Sequence, residues 1–157
     1  MHNNEPKIID VAMGDMKAAS NDRILRSNGI GSCVVITLYD SSKKVGAMAH
    51  SVLAESINKN TDNPLRFVDG AIDAMISALE KLGARKSRLE AKIVGGASMF
   101  KVFDKNPDSI GLKNIEAAKN NLEKEGIKIV ATDTGENCGR SVTFELTSGL
   151  VEVKTKI

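Results

Sequence analysis

Aromatic residues are nearly missing from this chain: four Phe, one Tyr and no Trp among 157 residues. Ala, Val, Ile, Leu and Met must therefore fill the core. Cysteine is as scarce. Cys33 and Cys138 make no disulfide framework, and a reducing compartment keeps such a pair as thiols. There is no CxxC pair and no HExxH motif, and His50 is the one histidine away from the N-terminus. A metal site is thus poorly supplied, and none is expected. No run approaches the roughly 18 apolar residues of a membrane span. The start, Met1 to Pro6, lacks the basic patch and apolar run of a signal peptide. The expectation is a cytoplasmic chain with no membrane insertion. Nor does one sign of charge prevail, since 22 Lys and Arg face 20 Asp and Glu for a net +2. That balance argues against a nucleic-acid partner bound through phosphate neutralisation.

What remains is ordinary for a folded protein: 41% hydrophobic and 27% charged residues. The length fits one domain over residues 1–157, long enough to bury roughly 68–70% of its unfolded surface. Residues 7–13 and 23–26 read as short strands, followed by a two-glycine turn, Asn28-Gly29-Ile30-Gly31-Ser32. Residues 33–39 are β-branched and nearly all apolar, as in a strand covered on both faces. After the turn cluster Asp40 to Lys43, residues 45–53 return as a second strand. Residues 64–82 form the clearest helix, with Asn63 as cap, Pro64 at its first position and Gly83 as its stop. Val68, Ala71, Ile72, Met75, Leu79 and Leu82 make its apolar stripe. A strand over 89–94, a helix over 113–125, a strand over 127–132 and a hairpin of 141–147 with 150–156 complete the pattern. Strands dominate and both helices can pack on one face. This order predicts an α+β layered sandwich rather than a doubly wound sheet.

The strand pair 33–39 and 45–53 carries the chemistry. With Ser41 and Ser42 as a two-residue loop, Asp40 faces Lys43, Ile36 faces Ala47 and Cys33 faces His50. Opposed side chains share a side of the sheet, with Cβ atoms about 4.5–5.5 Å apart. A thiolate is the reactive form of cysteine, and a neighbouring imidazole can take its proton and return it to a leaving amine. Gly29 and Gly31 allow close backbone approach, and amides around Ser32 and Cys33 can hold a developing oxyanion. A third group should orient the imidazole. Ser27 is a candidate hydroxyl, ranked by the residues alone no higher than Ser32 or Ser51. The bland alternative is a small buried thiol and a structural histidine.

Other features carry less. Cys138 has no histidine nearby in sequence and reads as a loop thiol without a role. Gly95-Gly96-Ala97-Ser98-Met99-Phe100 resembles a nucleophile elbow, but Phe100 stands where the second glycine belongs. It follows a strand as a phosphate loop does, yet lacks the Gly-Lys-Ser/Thr ending. It reads as a close-packing or substrate-lining loop, with Gly95, Gly96 and Ser98 as candidate lining residues. Met48, Met75 and Met99 read as core filler.

The segments Gly29–Cys33, Lys44–His50, Leu89–Phe100, Ile110–Asn114 and Asp133–Val142 occur in an order that resembles the chemoreceptor glutamine deamidase family CheD. The resemblance spans nearly the whole chain. It implies hydrolysis of glutamine side chains on methyl-accepting chemoreceptors to glutamate and ammonia through a Cys thioester, with no cofactor. It implies Cys33 as nucleophile and His50 as base. The third family position, usually a threonine six residues before the cysteine, falls on Ser27. It also implies a layered α/β fold related to toxin-type deamidases, and a CheC-type phosphatase as a partner. Some members are credited with receptor methyl-ester hydrolysis. Two rivals remain: a binding module for receptors and CheC with little turnover, and a different thiol hydrolase.

Overall fold

A computed structural model describes residues 7–54, 63–98 and 109–156. Nine strands and two α-helices occur among them: β1 (Lys7–Asp10), β2 (Asp15–Ser20), β3 (Arg23–Ile30), β4 (Val34–Asp40), β5 (Val45–Ser51), α1 (Val68–Lys81), β6 (Glu90–Gly95), α2 (Ile110–Lys124), β7 (Lys128–Thr134), β8 (Gly139–Glu145) and β9 (Val151–Lys156). The strands form two mixed sheets, one ordered β1-β3-β8-β9 and the other β2-β5-β4-β6-β7. Most neighbours are antiparallel, while β1 with β3 and β6 with β7 run parallel.

Three layers follow from the alternation along β4 and β5. Val34, Ile36, Leu38, Ala47 and Ala49 point to one face and pack with Val68, Ile72, Met75 and Leu79 of α1 and Ile115, Ala118 and Leu122 of α2. Val35 and Met48 point the other way and pack with Leu25, Ile30, Val142 and Phe144 of the second sheet. The five-stranded sheet is thus covered on both sides, which is why β4 and β5 read as unbroken apolar runs. The α+β layered sandwich is the architecture observed, with both helices on one face.

Several elements differ from the sequence reading. Asn63 does cap a helical turn, its side chain accepting from Leu65 N–H, but that turn is a short 3-10 piece over Pro64–Arg66. The α-helix begins only at Val68. Strand β2 was not expected; Asp15-Met16-Lys17-Ala18-Ala19-Ser20 has weak strand propensity and is held at a sheet edge by pairing with β5. The glycine segment after Ser27 is not simply a turn. Strand β3 continues to Ile30, and its register against β8 slips by one residue between Ser27 and Ile30, with Gly29 at φ +67°. This is a β-bulge, and glycine accepts its left-handed conformation without a Cβ clash.

The hairpin register is the main correction. Asp40 pairs with Val45, so the loop is Ser41–Lys44, and Val35 rather than Cys33 stands opposite His50. The cause is the Asp40 carboxylate, which is fully buried. It accepts from the Ser42 N–H at 3.1 Å and the Ser42 hydroxyl at 2.7 Å, which shapes the loop. It also accepts from the Arg85 N–H at 3.1 Å and from Arg88 Nε at 3.0 Å, which anchors it to the segment before β6. A two-residue loop needs left-handed residues that Ser41 and Ser42 do not supply. Here only Lys44 takes that conformation, at φ +52°. The slip is two residues, so the faces are preserved.

Burial opposes ionisation of Asp40, but the hydrogen bonds from Arg88, Ser42 and Arg85 outweigh it and hold the carboxyl well below the usual carboxylate range. Replacing Asp40 by Asn should lower unfolding free energy at neutral pH by about 3 kcal/mol, the low end for a broken buried pair because Arg88 keeps access to water. A carboxyl lowered by folding stabilises fully above its unfolded value, near 4, and loses that contribution as pH falls below it. Urea titrations should therefore show the gap between native and D40N protein narrowing from about pH 5 towards pH 2. A gap independent of pH would contradict this role.

Candidate active site

Ser27, Cys33 and His50 come from three different stretches of chain and are all buried, at 1%, 6% and 1% exposure. His50 lies on β5 with its side chain on the inter-sheet face, the face of Val35 opposite it. Ser27 lies on β3 of the other sheet and reaches across the layer boundary. Its Oγ is 2.7 Å from His50 Nδ1 and 2.9 Å from the Val11 carbonyl oxygen. Cys33 stands one residue before β4. Continuing the observed register places it diagonally from His50 on the same face, a separation of roughly 7–8 Å between Cα atoms. Direct opposition of Cys33 and His50 is therefore not what the hairpin provides, since Val35 takes that place.

Counting protons settles the histidine tautomer. A carbonyl oxygen only accepts, so the single Ser27 hydroxyl proton is donated to Val11. Ser27 Oγ must then accept from His50, which places the imidazole proton on Nδ1. Nε2 is left with a bare lone pair, and it meets no hydrogen-bond partner among the described residues, Cys33 Sγ included. Burial holds the His50 imidazole below its ordinary value, favouring the neutral ring. Burial raises the Cys33 thiol, and its own backbone N–H only partly offsets this. The resting pair is consequently neutral thiol and neutral imidazole, not thiolate and imidazolium.

The loop that carries Cys33 is held from outside by donors to three consecutive carbonyls. Ala97 N–H donates to Gly31 at 2.9 Å, Asn114 Nδ2 to Ser32 at 2.9 Å, and Gly96 N–H to Cys33 at 2.7 Å. Gly96 and Ala97 therefore brace the Cys33 loop. A Cβ on Gly95 would stand 2.4 Å from the Cys33 oxygen, and one on Gly96 2.4 Å from Ile115. Of the two readings of Gly95–Ser98, close packing is the one this geometry carries. Ser98 N–H donates to the Glu136 oxygen, tying this loop to the turn after β7. Met99 and Phe100 lie outside the described residues.

Asn114 was missed from the sequence, although its segment was singled out. It is fully buried at the start of α2, and its Nδ2 also donates to the Val52 carbonyl at 2.8 Å. The available signal was its position beside Ile115 and Ala118: a polar side chain on the apolar stripe of a helix must be hydrogen-bonded. Beside His50 opens a cleft of about 290 Å³, lined in part by Asp10, Val11, Met13, Arg26 and Asn28. Arg26 grips Asp10 at its rim with contacts of 2.7 and 3.1 Å. Among the described residues no three His, Cys, Asp or Glu side chains converge, and no helix is long and apolar enough to cross a membrane. Cys138 is a half-buried free thiol.

Comparison with known proteins bears on this constellation. The chain is 40% identical over 148 residues to a Methanococcus maripaludis protein named probable chemoreceptor glutamine deamidase CheD, covering 94% of this chain and 95% of the relative. Proteins of the same name from Clostridium novyi and Clostridium kluyveri are 42% and 43% identical over 94% and 96% of this chain, covering 92% and 94% of those relatives. Among solved structures, the Bacillus licheniformis hypothetical protein YfiH superposes with a TM-score of 0.52 at 13% identity. That match covers 86% of this chain, which spans 62% of the other, and it supports the fold alone. The family described as CheD chemotactic sensory transduction matches residues 50–155. With relatives at this identity over nearly its full length, the chain belongs to the CheD family.

Proposed function

We propose that this protein hydrolyses glutamine side chains of methyl-accepting chemoreceptors to glutamate, with Cys33 as nucleophile, His50 as base and acid, and Ser27 as the residue that orients His50. The observation that carries the reading is the bare Nε2 of His50, made a base by the Ser27 hydroxyl and standing opposite Val35, two residues along the chain from Cys33. The relatives' names give the substrate class.

The steps follow from the protonation states. His50 Nε2 takes the Cys33 thiol proton as sulfur attacks the carboxamide carbon. Such contacts often tighten only once substrate is bound. The carbonyl π electrons move to oxygen, and backbone N–H groups of the Gly29–Cys33 segment stabilise that charge. The C–N bond then breaks, and His50 returns its proton to the departing ammonia, leaving a thioester. Water attacks the thioester carbon while Nε2 removes its proton. The C–S bond breaks, the sulfur is reprotonated, and glutamate is released. No metal or organic cofactor enters. The new negative charge on a receptor helix bundle changes the balance between its signalling states. The work belongs at the cytoplasmic part of a receptor, and a CheC-type phosphatase that competes for the same surface is part of the proposal.

Incubation with receptor cytoplasmic fragments, followed by peptide mass spectrometry, should reveal glutamine-to-glutamate conversions that vanish in the Cys33→Ala variant. Binding without conversion would favour the binding-module reading instead. Ser27→Ala frees the imidazole to adopt the other tautomer and should lower kcat by about 10- to 100-fold, whereas Ser27→Thr keeps the hydroxyl and should retain most activity. Equal activity of all three proteins would remove Ser27 from the mechanism. Because burial raises the thiol, alkylation of Cys33 by iodoacetamide in a Cys138→Ser background should titrate above the free-cysteine value of about 8.5. A midpoint well below that value would mean a preformed thiolate and a different resting state.

A further inference from the structure

The Cys33 loop is braced by two backbone donors and one side chain, and the side chain has a distinct position. Asn114 Nδ2 uses both of its protons, one on the Ser32 carbonyl at 2.9 Å and one on the Val52 carbonyl at 2.8 Å. Ser32 directly precedes Cys33, and Val52 lies two residues beyond His50. One amide group on α2 therefore ties the nucleophile's loop to the end of the base's strand. Its orientation is unambiguous, because turning the amide over would set Oδ1 against two carbonyl oxygens. Oδ1 meets no donor among the described residues. A buried acceptor left unpaired costs about 1–3 kcal/mol, so the residue is poorly explained as a device for stability alone.

The peptide plane supplies the consequence. The Ser32 carbonyl and the Cys33 N–H belong to one planar trans unit, so they point in opposite directions. Fixing the carbonyl on Asn114 fixes where the Cys33 N–H aims. That N–H belongs to the residue that carries the sulfur, so it is the backbone donor nearest in the chain to the carbon the sulfur would attack. Building on the deamidase reading above, we propose that Asn114 is a positioning residue for the oxyanion hole: by holding the Ser32 carbonyl it aims the Cys33 N–H at the developing oxyanion. Donors to a developing charge act in the transition state and contribute little to ground-state binding.

Asn114→Asp is nearly isosteric and, when ionised, offers no donor to either carbonyl; Asn114→Ala removes the group. On receptor fragments both variants should lose about 10- to 100-fold in kcat with KM changed by less than about twofold. Alkylation of Cys33 by iodoacetamide involves no carbonyl oxyanion, so its rate and pH midpoint should match the native protein. A merely structural role predicts the reverse: lower unfolding temperature with kcat kept, or alkylation and kcat disturbed together. Either result overturns the proposal, as does a KM effect alone. Should both variants fail to fold, the native protein decides. When a receptor peptide bearing an aldehyde in place of the target carboxamide caps the sulfur, the Cys33 amide proton resonance should move downfield. A resonance indifferent to that adduct overturns the proposal. If native protein converts no receptor glutamine at all, the deamidase reading falls and this inference with it. Full activity in both variants beside an active native enzyme removes Asn114 only.

Discussion

A serine hydroxyl has one proton, and Ser27 stands between two groups that both engage it. The Val11 carbonyl can only accept, so His50 must donate, and everything chemical about the site depends on that constraint. It selects one of two imidazole tautomers, leaves a lone pair on Nε2, and holds the ring in one orientation. It also joins the two sheets, since Ser27 belongs to β3 and His50 to β5. The polar contact sits at the edge of an apolar layer formed by Leu25, Ile30, Val35, Met48, Val142 and Phe144. Exclusion of water from that layer strengthens the bond and penalises any arrangement that leaves either partner unpaired.

The same exclusion works on Cys33 and His50 in opposite directions. Burial disfavours a charged sulfur and a charged imidazole alike, raising one and lowering the other. A thiolate that persisted at rest would be open to oxidation and stray electrophiles. In the mechanism we propose, a neutral pair stays inert until an amide carbon accepts the sulfur's electrons, which ties reactivity to the presence of substrate.

Much of this was legible in the residues, and the rest failed for identifiable reasons. The β-branched run from Val34 and the answering strand ending near His50 carried the sheet. The register was misread because loop length was inferred from Ser41 and Ser42, while a carboxylate bound by Arg88 from far along the chain decides where pairing begins. The error was two residues, and a period of two forgives that. Strand β2 was invisible because Lys17, Ala18 and Ala19 have no strand preference of their own and are strands by virtue of β5. Ser27 could not be separated from Ser32 or Ser51 by local pattern; only contact across the two sheets distinguishes it. Asn114 was hidden by the same distance, as its partners lie far back in the chain.

The irregularity in β3 has a consequence for how the chain can vary. Strand residues alternate between faces, so an uninterrupted β3 that points Leu25 and Ser27 into the layer between the sheets would point Ile30 out of it. The extra residue at Asn28-Gly29 resets that phase between Ser27 and Ile30. The interval from Ser27 to Ile30 is therefore a matter of parity and not of reach. Substitutions within it can be absorbed, but a single-residue deletion would turn either the Ser27 hydroxyl or the Ile30 side chain out of the layer between the sheets.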